Sequence, residues 1–397
     1  MAKEKVVIIG AGVSGLVCAL ELEKRGFAPL IIDEQNEVGG RLQTEQVEGF
    51  TLDRGFQVLL TSYPAVKNYL DLNKLNLQYF KPGAAVFKDN RFSVLGDPLR
   101  DSSFLFPTIS FPHGNLMDKV KIWRLSKQLK GQSLEMIFQK PSQTTIEYLR
   151  KRGFSSRIIE SFFKPFYTGI FLEEELATSS RMFEFVFKMF AEGYASLPTG
   201  GIQEVALQLK SKLSNTTFKL GQKVSSIGEE RIVLSNGAEL DFDKLVLASY
   251  RHNDNSEQQK WNACFNFYFE TEDINLHPAL IGLNANGKGY INNFSFILND
   301  IGKSGISVTV VKEFEGSPEA LAATIEEELW TIYGINTKRL IQYYQIPYAL
   351  PKHETCTYEA DEGSMVISSN KIVCGDALSN SSLNAAMLSG AKAASLI

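Results

Sequence analysis

The chain has 397 residues, 44% hydrophobic and 22% charged, with a formal net charge of −4. One core stops growing near ~250–300 residues, so this length predicts two domains, and the composition excludes a disordered chain. Basic and acidic residues (41 against 45) are mixed without long runs of one sign, which supplies no field for a nucleic-acid backbone.

The chain starts with a lysine-rich pentapeptide and enters a strand at once, without the apolar stretch of a signal peptide. No run approaches the ~18 apolar residues that span a bilayer. Cys18, Cys264, Cys356 and Cys374 are scattered and show no CxxC spacing. A reduced, cytoplasmic protein without structural disulfides or zinc is expected.

Residues 3–9 predict a short buried strand. A glycine-rich turn, Gly10-Ala11-Gly12-Val13-Ser14-Gly15, and a helix to about Arg25 follow, closed by Gly26. A second strand at 28–32 finishes at Asp33, which completes a βαβ unit. Gly10 allows the tight turn, Gly12 lets the backbone approach a pyrophosphate, and Gly15 lets helix and strand pack closely. With Val13 and Ser14 at its start, the helix offers unpaired N–H groups to phosphates. Asp33, with Glu34 beside it, lies 18 residues beyond Gly15 and can accept hydrogen bonds from ribose hydroxyls. Ser14 is a phosphate donor in this reading, not a nucleophile. Val38-Gly39-Gly40-Arg41-Leu42 adds two glycines for close approach and a guanidinium for a pyrophosphate.

From 60 to 190 the pattern is mainly helical, with a few strands expected within 81–115. A helix is expected to start at Ser142 or Thr144. Residues 154–190 hold nine of the 27 phenylalanines. A β-rich stretch follows at 216–248, with a hairpin turn at Asn236-Gly237. Strands are expected at 262–270, 288–298 and 304–312, and an amphipathic helix at 317–333. A short strand from Lys371 ends at Gly375-Asp376, and a helix of small residues occupies 383–395.

The run from Gly10 to Arg41 resembles the opening of the flavin-containing amine oxidase superfamily, which includes protoporphyrinogen oxidases and carotenoid desaturases. The stretch from Gly375-Asp376-Ala377 through Ser381 to Gly390 is similar to the superfamily's C-terminal flavin motif. The resemblance implies FAD, held non-covalently because this motif has no cysteine. It would put Gly375 and Asp376 on the ribityl chain and the amides of Leu383, Asn384, Ala385 and Ala386 at the pyrimidine edge. A helix N-terminus there stabilises negative charge on the reduced ring. Leu52 to Gln57 resembles the loop beside the flavin, so Gly55, Phe56 and Gln57 are expected next to the ring. Pro198 to Ile202 resembles a turn leading back into the FAD domain. Gln222 to Ile227 resembles the strand whose Val224 backbone meets the adenine.

The nearest likeness is to the protoporphyrinogen oxidase and phytoene desaturase branch, through Phe162 to Phe171 and Ser179 to Met182. That branch acts on large apolar substrates, which would put the phenylalanine density at a pocket. Any single phenylalanine is more simply read as core. The pattern departs from the amine oxidases in two respects, which disfavour amine oxidation: the strand from Trp261 to Phe269 carries no lysine, Lys260 lying only at its edge, and the amine-sandwiching aromatic pair has no clear counterpart. Tyr343, Tyr344 and Tyr348 are candidates for the amine-sandwiching pair, though a strand or core role suits them better. His113, His252, His277 and His353 show no metal or triad spacing.

The expected fold is α/β: a discontinuous, glutathione-reductase-like FAD domain at 1–80, 195–255 and 340–397, with an α+β substrate domain at 81–194 and 256–339. The expected chemistry is hydride transfer from an apolar substrate to flavin N5, in desaturation or in amine or ring oxidation, with no catalytic acid or base singled out. An NAD(P)-dependent dehydrogenase, a flavin-dependent isomerase or hydratase, and a non-enzymatic FAD-bound partner protein share parts of this fingerprint. Aromatic residues near 104–112 leave open a peripheral membrane contact.

Overall fold

The central sheet is built from short, largely apolar segments joined by long crossover connections, and five of them lie parallel. In order across the sheet they are Thr217–Lys219, Leu30–Ile32, Val6–Ile9, Lys244–Leu247 and Lys371–Val373, with Val366–Ser368 antiparallel at one edge. This computed structural model describes residues 4–249, 259–272, 277, 279–298, 302–353 and 355–397. His252 and the expected domain border at 255 lie outside the described residues.

Alternate side chains of each strand serve opposite layers, as the pleat requires. Ile8, Ile31, Val246 and Ile372 pack toward helices. Val7, Ile9, Ile32, Leu245, Leu247 and Val373 pack instead on a small antiparallel sheet of Val224–Ile227, Arg231–Leu234 and Glu239–Asp241. The Asn236-Gly237 turn joins its last two strands. Val6–Ile9 lies between the second strand and Lys244–Leu247, so the strand order reverses beside it. A crevice opens at such a point, at the carboxyl ends of the strands.

Helix Val13–Lys24 packs on helix Leu383–Ser395, so the first and last helices of the chain are neighbours. Their contact is made possible by a missing side chain. A Cβ on Gly390 would lie 2.2 Å from the Ser14 carbonyl oxygen. The Arg25 guanidinium donates to the Ala394 carbonyl and closes the far end of the pair.

A seven-stranded sheet forms the second body, in the order Thr337–Pro351, Trp261–Thr271, Ser304–Val310, Ile291–Leu298, Ile281–Asn284, Gly83–Lys88 and Arg91–Gly96. Helix Pro318–Thr331 covers one face, capped by the Ser317 side chain. The expected border at 340 falls inside the strand Thr337–Pro351, which stays paired with Trp261–Thr271 as far as Pro351. The long tyrosine-bearing segment is therefore part of this sheet and not of the parallel one. Leu59–Leu60, Ala195–Pro198 and Leu77–Tyr79 form a small sheet of their own. These strands of two to four residues are too short to show a period, and the helical reading of 60–80 missed two of them.

Helices Leu116–Lys130, Leu134–Gln139, Thr145–Lys151, Lys164–Phe171 and Ser180–Glu192 make the helical part of this body. Of the two expected starts near 142, Thr144 is the cap: it bonds the Glu147 amide while the Glu147 side chain bonds back. Glu184, 1% exposed, is held by the Tyr148 hydroxyl at 2.6 Å and by Lys140. The nine phenylalanines divide. Phe154, Phe163, Phe171, Phe183 and Phe185 are buried core, whereas Phe162, Phe166, Phe187 and Phe190 are half-buried and face a cavity.

Candidate functional site

One cavity of about 1580 Å³ runs between the two bodies. A pocket for a drug-sized molecule is about 300–1,000 Å³, so this one has room for a dinucleotide and a second molecule. It begins at the carboxyl ends of the parallel strands, where Gly10, Gly12, Val13 and Ser14 meet Asp33 and Glu34. The Asp33 carboxylate accepts from the Ala11 amide at 2.6 Å and the Gln35 amide at 2.8 Å, bracing the glycine turn against the second strand. Val224 lines the same end.

Gly39, Gly40, Arg41 and Leu42 form the next stretch of wall. The Gly39 amide donates to the Ala11 carbonyl at 3.0 Å. A Cβ on Gly40 would come within 3.1 Å of the Gly12 Cα, so the two glycine loops touch backbone to backbone. Arg41 reaches across to Asp376 as an ion pair, donates to the Ala349 carbonyl at 3.2 Å, and lies 5.5 Å from the Trp261 ring. The N-terminal and C-terminal motifs, 335 residues apart, are thus joined by one charge-assisted contact.

Beyond Arg41 the wall is made by Gly55, Phe56 and Gln57 on one side and by Gly375, Asp376, Leu383 and Ala386 on the other. Leu52 and Asp53 are not in this loop. They end the strand Phe50–Asp53, paired with Thr44–Val47, and the loop starts at Arg54. The Gln57 side chain donates through Nε2 to the Arg41 carbonyl at 3.0 Å, which ties this loop to the Gly-Gly-Arg turn. Asp53 is buried beneath it, accepting from the Thr44 hydroxyl at 2.6 Å and the Ile202 amide at 2.9 Å. Burial pushes its carboxyl up to about 6, although both hydrogen bonds pull the other way.

Three of the expected cofactor residues do not line the cavity. Gly15 lies behind it: a Cβ there would be 2.0 Å from the Gly10 carbonyl oxygen, so its role is close helix–strand packing. The Asn384 side chain turns away to accept from the Ala65 amide at 3.0 Å. The Ala385 amide is taken by the Ser382 hydroxyl, the cap of the last helix. That leaves the start of the helix, at Leu383, facing the cavity.

Several wall residues were not singled out from the sequence. Trp261 and Cys264 come from the strand that carries no lysine, and Thr309 and Asn293 come from the next two strands of the sheet. Asn293 Nδ2 donates to the Thr309 hydroxyl at 3.4 Å, and that hydroxyl to Asn266 Oδ1 at 3.2 Å, a polar row across three strands. Isolated polar residues in alternating strands read as outward-facing, so sequence alone hid this row. Tyr343, Tyr344 and Tyr348 also reach the cavity from their strand. The first two hydroxyls are bonded to Glu319 and Glu45, so they do not form a free pair for an amine. Lys260 does not line the cavity.

The comparisons with known proteins agree with this geometry. Residues 13–397 match the family described as flavin containing amine oxidoreductase. The chain belongs to that family. Among curated relatives, protoporphyrinogen oxidase 2 of Arabidopsis thaliana is 24% identical over 307 residues, 71% of this chain and 57% of that one. The 4,4'-diapophytoene desaturase of Staphylococcus aureus is 28% identical over 147 residues, 35% of this chain and 29% of that one. The chain thus spans less than two thirds of the length of these relatives. A solved structure of a putrescine oxidase double mutant shares the fold, with a TM-score of 0.71 at 17% identity over 99% of this chain and 98% of that one.

The family is flavin-containing, and the cavity fits FAD held without a covalent bond. The touching glycine loops leave no room for side chains where a pyrophosphate would lie. Arg41 and the start of the Val13–Lys24 helix supply positive charge there. The start of the Leu383–Ser395 helix supplies it again at the far end. The cavity's cysteines are Cys264, within the strand Trp261–Thr271, and Cys374, just before Gly375.

Proposed function

We propose that this protein is an FAD-dependent oxidoreductase that desaturates, or oxidises a ring of, a large apolar substrate. The observation that carries the reading is the continuity of the cavity. It passes from the two glycine loops, along Gly55 to Gln57, into a wall of Phe162, Phe166, Phe187 and Phe190. When bound, FAD supplies the acceptor for a hydride equivalent. The glycine loops, Arg41 and the Asp33 side chain would hold its adenosine diphosphate half. Asp376, Gly375 and the amide at Leu383 would hold the other half, with Gly55, Phe56 and Gln57 against the ring. The chain's contribution to the chemistry is position and dryness, because the phenylalanine wall aligns the substrate and excludes water.

An amine is a poor substrate for this cavity. Lys81, Arg100, Lys119, Lys127 and Lys130 line its outer part, and a cationic rim repels an ammonium group. The domain reading follows the sheets: segments up to about 80, from 195 to the Lys244–Leu247 strand, and after Pro351 would form the FAD domain. The four cysteines are free and buried, with burial pushing each thiol up, which supports a reducing, cytoplasmic setting.

Anaerobic mixing with a polyene such as diapophytoene, or with protoporphyrinogen, tests the proposal. Bleaching of the yellow flavin band with formation of a more unsaturated product is expected. A flavin that dithionite bleaches but neither apolar substrate nor its close analogues touch would contradict it, and bleaching by putrescine alone would reassign the enzyme to amines.

A further inference from the structure

The seven-stranded sheet has two buried faces of different chemistry. Phe267, Val308 and Phe294, side by side on three adjacent strands, pack against the helix Pro318–Thr331. Asn266, Thr309 and Asn293 each precede or follow one of them in sequence, so the pleat turns them to the opposite face, toward the cavity. They too stand side by side, because Thr309 is in register with both asparagines. All three are buried, at 0%, 4% and 2% exposure. Burial of amide and hydroxyl groups is costly unless hydrogen bonds replace those to water. A wholly apolar ligand would be served better by side chains like those of the other face.

The bonds of this row run in one direction. Asn292 Nδ2 donates to Asn293 Oδ1 at 2.8 Å, Asn293 donates to Thr309, Thr309 to Asn266, and Asn266 Nδ2 to the Ser307 hydroxyl at 3.2 Å. Among the described residues this relay uses one of the two Asn293 Nδ2 hydrogens and one of the two lone pairs of the Thr309 oxygen. Asn293 and Thr309 line the cavity, whereas Asn266 lies behind them. One donor and one acceptor therefore remain at the wall. The relay itself is uncharged, its members being amides and hydroxyls. A carboxylate or an ammonium placed here would lose its hydration without gaining a counter-ion, so the position suits an uncharged group.

The apolar wall meets the row at Gly169. A Cβ there would lie 2.8 Å from Asn293 Oδ1 and 2.9 Å from Asn292 Nδ2, so the helix Lys164–Phe171 rests on the two asparagines through its glycine. Phe166 and Ile170 of the same helix line the cavity. We propose that Asn293 and Thr309 form a subsite for a hydroxyl or carbonyl oxygen carried by an otherwise apolar substrate. The Asn293 amide donates to that oxygen, and the Thr309 oxygen accepts from a hydroxyl. The inference rests on the reading of the cavity as the substrate site and narrows it: a bare polyene is bound more weakly than its hydroxylated or keto counterpart. Discrimination arises because a hydrocarbon leaves the row dry and unpaired.

The test is equilibrium binding of retinol, retinal, retinoic acid and the hydrocarbon of the same skeleton to the full-length, FAD-loaded protein. Trp123 and Trp261 line the cavity, so quenching of tryptophan fluorescence reports occupancy. Retinol and retinal are expected to bind about tenfold or more tighter than the hydrocarbon, and retinoic acid more weakly than either. Thr309→Val, which keeps the shape of the side chain, and Asn293→Leu should each shrink the retinol-to-hydrocarbon ratio by about threefold to tenfold. A merely structural role would weaken both ligands alike. Ser295→Ala, on the same face but away from the cavity, should leave the ratio unchanged. Flavin absorbance and melting temperature report folding, and the near-isosteric Thr309→Val decides the matter if Asn293→Leu does not fold. The proposal is overturned if none of the four ligands binds, if alcohol and hydrocarbon bind equally, if the acid binds tightest, or if Thr309→Val keeps the wild-type ratio. Flavin bleaching is read separately. A preference without bleaching keeps the subsite and tells against the oxidoreductase reading, whereas bleaching by alcohol and hydrocarbon bound with equal affinity does the reverse.

Discussion

Gly390→Ala adds one methyl group to the contact between the first and last helices. The new Cβ would lie 2.2 Å from the Ser14 carbonyl oxygen and 3.0 Å from its carbon. Both are backbone atoms that cannot rotate aside, so the last helix must withdraw by about 1 Å to reach ordinary van der Waals separation. Overpacking of this size costs about 1–3 kcal/mol, a fall of several degrees in Tm. The withdrawal is carried along a rigid helix to Leu383, two turns earlier, where the helix start faces the cavity. Amides displaced by about 1 Å lose most of a charge-directed contact, and FAD affinity should fall about tenfold or more. Scanning fluorimetry of the flavin-free and flavin-loaded protein gives the first quantity, and quenching of added FAD gives the second. Gly131→Ala is the control, because its Cβ would meet nothing closer than 3.6 Å in a helical conformation. A Gly390→Ala protein with unchanged Tm and FAD affinity would show that the two helices do not rest on this contact.

Arg41→Ala leaves Asp376, 6% exposed, without its cation; FAD affinity measured by calorimetry should drop about 10- to 100-fold, with Arg41→Lys recovering only part because the fork is lost. Asp53 has a folded-state pKa of about 6 against an ordinary 3.8, so its protonated form stabilises the fold at low pH and that contribution is lost as pH rises through 6. Asp53→Asn mimics the protonated state, and in urea unfolding it should match the wild-type protein near pH 4 and exceed it at pH 8 by on the order of 3 kcal/mol; identical pH slopes would be the contrary result. Phe183→Ala, in the core with no exposed surface, should lose about 3–5 kcal/mol of stability. Phe190→Ala, at the cavity wall, should lose less stability while raising KM for an apolar substrate, and equal effects on both properties would remove the division between core and wall phenylalanines.

Both ends of the chain were legible because their chemistry is local. The turn from Gly10 to Gly15, the acid at Asp33 and the small-residue helix Leu383–Ser395 depend on spacings within a few tens of residues, and the helix lies where its pattern predicts. What was not legible depends on residues far apart. Nothing in the neighbourhood of Arg41 announces that it pairs with Asp376, and nothing near Asn384 announces that its side chain is bonded to Ala65. The border at 340 failed because the segment after it is rich in tyrosine and proline, and an edge strand of fifteen residues is longer than ordinary strands. The phenylalanines between 154 and 190 show the same limit: composition announced an aromatic region, but only helix rotation decides which rings face the cavity.

Hydrogen–deuterium exchange, with and without FAD, reads both ends of the cofactor site at once. If one flavin nucleotide is gripped from both ends of the polypeptide, adding it slows exchange at amides 11–15 and at 383–386 together, with a shared concentration dependence. Protection at the glycine turn alone, with the start of the last helix exchanging as before, would mean that the C-terminal end does not hold the flavin.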